Sequence, residues 1–397
     1  MTYPEVSLRR YVHTNLDHLR LLRRKEIDTD LVLSMIPPRS VDMDDGSSLE
    51  LTCSPDQALT FQPVALPEDW NSRRPLTVAF DPSSSASIVG KRGNMRLLLI
   101  KPLAVAADGD VCALSSRFRE QCLFVTLASN REFDAPPDLR DAVLFDHFAL
   151  QHEQQNALKH LKECAILVGP LEECVAELGR YHYRYTERGA DRQVIVMRDG
   201  SILSNAENIV ANYLRENRTP SGAVFDRLWL HHAIHAAAEE YGIPVVGVTK
   251  DAQAPILSRF YDQPVYDYTL MRQVARRQGV EFAILPAIRR TWPSSPLAID
   301  YYFVYLEPNV SCLRIEVLSS ARLRDANWHS VVQDIVRLAI ENFEIIEYNE
   351  ARYRLPLALA KADQLTRLRG NELYEFASES VRALSLEFRL KIVTERA

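Results

Sequence analysis

The sequence predicts a mixed α/β protein built on a five-stranded sheet flanked by helices. Three observations carry this reading. Short β-branched and apolar runs recur at 76–80, 96–105 and 121–127 with polar connections between them, as in an antiparallel meander. The periodicity then becomes helical over 139–185. Two further apolar runs, 193–197 and 243–248, flank a helical stretch around 226–241, and that spacing suits a parallel, right-handed strand–helix–strand unit. The order is therefore β-β-β-α-β-α-β.

Each element has a local reason. Residues 5–27 place apolar side chains at helical spacing with arginines opposite, and Arg20, Arg23, Arg24 and Lys25 gather at the end. This arm reads as a solvated amphipathic helix or as a face for a partner or DNA. Residues 36–75 mix Pro, Ser and Asp with short strand-like runs, so the expected division is an N-terminal region, 1–74, and a main domain, 75–397. Gly169-Pro170 breaks the first helical stretch, and Pro170 suits the first turn of a second helix. Later come helices around 254–278, a hairpin of 301–305 with 312–318, a helix at 328–342, and interrupted helix over 356–389.

Composition narrows the function. The 397 residues carry 47 Lys and Arg against 53 Asp and Glu, a formal charge of -6, so no global field draws nucleic acid, although a local basic track remains possible. Thirteen glycines include no Gly-x-Gly-x-x-Gly, and Gly90-Lys91-Arg92 lacks the remainder of a P-loop, which argues against an ATPase or dinucleotide enzyme. Six scattered cysteines without a Cys-x-x-Cys pair suggest reduced thiols. With no secretory signal and no membrane-length apolar run, the expected address is cytoplasmic and off the membrane.

The chemical signal is the placement of acids. Asp81 and Asp199 each close an apolar strand, and strand ends are where α/β sheets gather ligand groups. On neighbouring strands the two carboxylates would converge, repel, and call for a divalent cation such as Mn²⁺ or Mg²⁺. Singly, Asp-Pro and Asp-Gly also read as turns. A third acid is expected from the helix begun by Pro170, where Glu173 and Glu177 share a face beside Glu172; the choice among them stays open. Asp363 is a candidate fourth acid, on a helix opened by Pro356 whose alanines permit close approach to the sheet. His231 and His235 have zinc-ligand spacing, but the glutamate of His-Glu-x-x-His is missing.

These pieces, in this order, resemble the ribonuclease H-like fold and, within it, the NurA family of prokaryotic DNA-end-processing nucleases. The matching segments are Phe80-Asp81 with its serines, Val196 to Leu203, Val246 to Lys250, Tyr302 to Leu306 with Leu313 to Val317, and Leu355 to Asp363. The resemblance spans roughly residues 75–375. It implies metal-holding roles for Asp81 and Asp199, completed by the helix glutamate (Glu173 or, as the preferred ligand, Glu177), and a place for Lys250 near a substrate phosphate. It also implies a homodimer docked on a HerA-type hexameric ATPase that feeds it DNA. Two departures stand out: Pro82-Ser83 follows the first aspartate where the family has Gly-Ser, and Asp363 stands where the family often carries histidine. The expected chemistry is two-metal hydrolysis of DNA phosphodiester bonds, with Asp363 touching the second ion and Lys250 or arginines meeting the phosphate. The competing reading is a degenerate scaffold that binds DNA or the ATPase without chemistry.

Overall fold

Strands whose side chains alternate between two buried faces form the frame of the protein. The computed structural model describes residues 29–43, 46–81, 85–89, 95–100, 103–108, 111–114, 121–126, 143–145, 193–202, 244–250, 255–262, 266–291, 298–319, 327–348, 351–367 and 393–395. In chain order these form α1 (Thr29–Ser34), β1 (Ser40–Asp42), β2 (Ser48–Leu51), β3 (Gln62–Pro63), α2 (Trp70–Arg73), β4 (Leu76–Asp81), β5 (Ser85–Val89), β6 (Met95–Ile100) and β7 (Leu103–Asp108). There follow β8 (Val111–Leu114), β9 (Gln121–Thr126), β10 (Val143–Phe145), β11 (Val194–Asp199), β12 (Val245–Thr249) and α3 (Asp267–Gln278). The remainder are β13 (Ala283–Ile284), β14 (Ile288–Thr291), β15 (Ala298–Tyr305), β16 (Leu313–Ser319), α4 (Trp328–Glu341), β17 (Phe343–Tyr348), β18 (Ala351–Pro356), α5 (Leu357–Thr366) and β19 (Val393–Glu395).

Among the described residues the main sheet holds twelve strands, in the path β1-β2-β14-β15-β16-β12-β11-β4-β7-β8, with β13 and β3 joined at β15. One end of it contains five strands with the directions expected from the sequence. β4, β7 and β8 are antiparallel in succession, while β11 lies parallel to β4 and β12 parallel to β11. The sheet is larger than five strands because the 301–318 hairpin adds β15 and β16 beside β12, and β14 and β2 extend it further. Residues 36–75, expected to be irregular, thus supply sheet strands, and Leu49 and Leu51 are buried there.

The meander differs from expectation in one respect. The run 96–105 is two strands: β6 ends at Ile100 and β7 begins at Leu103, with Lys-Pro in the sequence between them. Proline cannot donate a ladder hydrogen bond, so it punctuates the run. β7 pairs with β4, whereas β6 and β9 belong to a separate five-stranded sheet, β10-β9-β6-β5-β19. The third strand of the main meander is therefore β8, not 121–127. The predicted helices at 5–27, 139–185 and 226–241 lie outside the described residues.

Two cores sandwich the sheet. In β11, Val194 and Val196 face one core, with α3 residues Leu270, Met271 and Val274; Ile195 and Met197 face the other, with α4 and α5. Burial on both faces, worth roughly 1.5–3 kcal/mol per large aliphatic side chain, holds the strand ends in fixed positions. α5 follows Pro356, and its Ala358, Ala360 and Ala362 are almost wholly buried; their small side chains let the helix lie close on β4, β7 and β11. The helix before it, α4, starts where Asn327 accepts a hydrogen bond from the Ser330 amide. It ends where Arg354 donates to the Ala339 and Ile340 carbonyls, satisfying orphan acceptors of the last turn.

Candidate metal centre

The register of β4 and β11 brings the two predicted aspartates together. Arg198 pairs with Phe80 across the parallel ladder, and one residue further each strand ends in aspartate, Asp199 and Asp81. Odd-numbered residues of these strands face the core beneath α5: Ala79 and Met197 lie in it, so Asp81 and Asp199 point the same way. Lys250 follows β12 on that same side, two residues beyond Val248. From above, α5 delivers Asp363. Carboxylate oxygens of Asp81, Asp199 and Asp363 all lie within 4.8 Å of one another.

Four sequence candidates thus converge. Lys250 Nζ donates to Asp199 Oδ2 at 2.6 Å and to Asp363 Oδ1 at 2.5 Å, with 6% of its side chain exposed. It stands inside the cluster, 5.2 Å from the centre of the Tyr348 ring. Glu173 and Glu177, like Glu172, His231 and His235, lie outside the described residues. Three partners were not foreseen. Thr366 Oγ1 donates to Asp81 Oδ2 at 2.6 Å, and Arg367 donates to Asp363 Oδ2 from Nε at 2.9 Å and from its terminal nitrogen at 2.5 Å. Their spacing from Asp363, three and four residues on a helix, was the available signal.

The third unforeseen residue is Glu316, on the opposite face of the sheet. Its Oε2 accepts from Ser201 Oγ at 2.6 Å and from the Ile202 amide at 3.0 Å. Its Oε1 accepts from Thr249 Oγ1 at 3.2 Å and from Arg314 at 3.0 and 2.8 Å. The carboxylate therefore ties down the segment after Asp199 and the residue before Lys250. That segment turns at Gly200, whose φ of +91° favours glycine, and passes so close to β12 that a Cβ on Gly247 would lie 2.6 Å from the Ile202 nitrogen.

Burial and the proximity of like charges set the electrostatics of the site. Burial, reinforced by Asp199 and Asp363, pushes the Asp81 carboxyl up to about 8 against the opposing pull of Lys250 and Thr366. Burial likewise raises Asp199, with Lys250 opposing and Asp363 adding. Burial works against the Lys250 ammonium, but the three aspartates outweigh it and hold its pKa above the ordinary lysine value. Among the described residues Lys250 pairs with Asp199 and Asp363, Arg367 pairs with Asp363, and Arg198 also acts on Asp199. Asp199 Oδ1 is buried and has no hydrogen-bond partner among the described residues. A buried carboxylate oxygen without a donor is costly, and an oxygen-only donor set suits a hard divalent cation. The residues present therefore fit a metal ion.

A strand-end carboxylate cluster in a mixed α/β sheet defines a class of candidate metal-dependent hydrolases. The comparison of families makes the assignment specific: the NurA domain matches residues 115–368, well over half of the chain. The chain belongs to the NurA family of nucleases. The matched region includes Asp199, Lys250, Glu316 and Asp363, while Asp81 precedes it. A solved structure titled "Crystal structure of NurA with manganese" is similar at 10% identity, covering 95% of this chain and 97% of that one, with a TM-score of 0.39. No curated protein matches the chain. Among the described residues no helix is long and apolar enough to cross a membrane.

Proposed function

We propose that this protein is a divalent-metal-dependent deoxyribonuclease that hydrolyses phosphodiester bonds at DNA ends, using Mn²⁺ or Mg²⁺. The observation that carries the reading is the buried oxygen of Asp199, left without a partner beside Asp81 and Asp363. Asp81 and Asp199 are the residues that would hold metal. When bound, a divalent ion supplies charge neutralisation and an activated water. Thr366 fixes the Asp81 carboxylate, Lys250 fixes Asp199 against Asp363, and Glu316 holds the backbone on either side of the strand ends. The strand order 3-2-1-4-5 at one end of the sheet, counting β4, β7, β8, β11 and β12 as one to five, supports a ribonuclease H-like core. The working assembly in this reading, carried over from the family resemblance, is a cytoplasmic homodimer on a HerA-type hexameric ATPase, and the lack of a P-loop in the sequence fits a borrowed motor. Glu173 or Glu177 would complete the ligand set.

The test is cleavage of linear and circular DNA, single- and double-stranded, with Mn²⁺, Mg²⁺ or EDTA, alone and with the ATPase. Cutting should need the metal, and cutting confined to linear DNA would add dependence on ends. Asp199→Ala should lower the rate by more than ~10²-fold, beyond the 10–100-fold usual for loss of an outer-shell partner. An Asp199→Ala protein that cuts as fast as the parent sinks the assignment. No cutting by the parent, with or without the ATPase, leaves the scaffold reading in its place.

A further inference from the structure

The protein as a whole is acidic, yet the outer surface of α3 has the opposite balance. The single acid of this helix, Asp267, is buried, while Arg272, Arg276 and Arg277 are exposed. Asp267 accepts from the Ile256 and Ser258 amides, each at 2.8 Å, and so pins the start of the helix. Tyr266, extended just before the first turn, stacks on Tyr268 with ring centres 5.7 Å apart and planes 13° from parallel. The two remain 53% and 44% exposed, so each covers one face of the other and leaves its outer face in water. Tyr268, Arg272 and Arg276 follow at four-residue steps along one side of the helix, a rise of about 6 Å per step. Arg277 lies off that row and pairs with Asp30 at 3.0 Å.

This row meets the turn between β15 and β16. Arg272 donates to the Pro308 carbonyl at 2.9 Å, and the Tyr268 carbonyl accepts from Cys312 Sγ at 3.8 Å. The acid of that turn, Glu307, is paired with Arg354. Thr249 pairs with Arg314 near the start of β16, and Asp199 with Val248, so the turn lies at the sheet edge where β11 and β12 end. The tyrosines and the acid cluster therefore share an edge, with β15 three strands from β11, about 15 Å away. They occupy opposite faces, because α3 packs in the core of Val194 and Val196. Resting on the nuclease reading above for the identity of the polymer, we infer that Tyr266, Tyr268, Arg272 and Arg276 hold a single strand of DNA at this edge. Bases stack on the outer ring faces, and the guanidiniums meet phosphates along the row. Stacking on an aromatic ring is indifferent to base identity, and arginine supplies the charge that a polyanion needs. The site that holds the strand is thus separate from the site that cuts it.

The experiment measures binding by fluorescence anisotropy in EDTA, with the full-length chain and three probes: a short dT oligonucleotide, an abasic strand of the same length, and a hairpin duplex. The parent should favour the dT strand over the abasic one by at least about fivefold, the lower value for one stacked base, and over the duplex as well. Tyr266→Ala combined with Tyr268→Ala should lose that preference, and phenylalanine at both positions should keep it. Arg272→Gln and Arg276→Gln should each lower the slope of log affinity against log salt by about 0.7. A parent that binds dT and abasic strands alike overturns the inference, and that result depends on no variant folding. An alanine variant with the parent's affinity for dT also overturns it; if that variant sediments at a smaller mass, the surface is a contact between protein chains. The cleavage assay answers separately. A parent that shows the dT preference but never cuts removes the nuclease reading and keeps the strand site, whereas one that cuts while the alanine variant keeps full affinity removes the strand site alone.

Discussion

Two buried carboxylate assemblies lie on opposite faces of the same sheet and are wired in opposite ways. Glu316 accepts from Ser201, the Ile202 amide, Thr249 and Arg314, with both oxygens engaged. The Asp81–Asp199–Asp363 group brings three like charges together and, among the described residues, leaves one buried oxygen, Asp199 Oδ1, with no donor. A buried charge kept for structure is saturated with hydrogen bonds, because any unsatisfied oxygen costs stability. A buried charge left short of partners costs stability in the resting protein and gains it only when a ligand arrives. The contrast separates scaffold from chemistry without reference to any relative.

The comparison breaks most visibly in stability. Glu316→Ala leaves Arg314, 8% exposed, without its carboxylate and unties both strand ends, so it should cost about 3–5 kcal/mol in urea unfolding. Asp199→Ala leaves Lys250 paired with Asp363 and relieves repulsion, so its loss should be much smaller in EDTA although its activity falls furthest. Equal losses in the two variants would erase the distinction between the faces.

Much of the acidic site was legible in the sequence, because buried parallel strands announce themselves as apolar runs and their terminal aspartates stand out. Asp363 was legible from the alanines around it, whose small side chains suit a helix packed closely on the sheet. Glu316 was not. Arg314 and Glu316 alternate with Ile315 and Val317, the pattern of a strand with one face in water. Here that second face is buried, so the charges point into the protein and find each other. The sequence has no mark that distinguishes the two cases; it takes the segment after Asp199, folding over β12 at Gly247, to close the face. Similarly, Lys-Pro at 101–102 marks the break between β6 and β7, but only long-range pairing assigns them to different sheets.

pH sharpens the contrast next. The Asp81 carboxyl rises from 3.8 to about 8 in the folded, metal-free protein, chiefly through burial. A group raised on folding contributes stability that is full below its unfolded pKa and is lost as pH climbs through its folded one. The melting temperature in EDTA should therefore fall between about pH 4 and pH 8, and Asp81→Asn should flatten that fall. Saturating Mn²⁺ should oppose it, since metal binds the deprotonated carboxylate and its stabilisation grows with pH. A slope unchanged in Asp81→Asn would mean that the titration belongs to other groups.

The smallest effect tests how finely the open site is tuned. Thr366 has one hydroxyl proton; the Ala362 and Asp363 carbonyls lie 3.0 and 3.1 Å away, and Asp81 Oδ2 is nearest at 2.6 Å. That bond lowers the Asp81 pKa and counters the burial that raises it. Thr366→Val keeps the branched shape and removes the donor, at a cost of about 1 kcal/mol in stability. The Asp81 carboxyl should then titrate higher, so Mn²⁺ affinity at pH 7 should drop about tenfold, the lower end for an outer-shell partner. Raising the pH should restore most of it, because the variant has lost only the group that favoured the charged carboxylate. Affinity that stays low at pH 9 would show instead that Thr366 positions Asp81 and does not tune its charge.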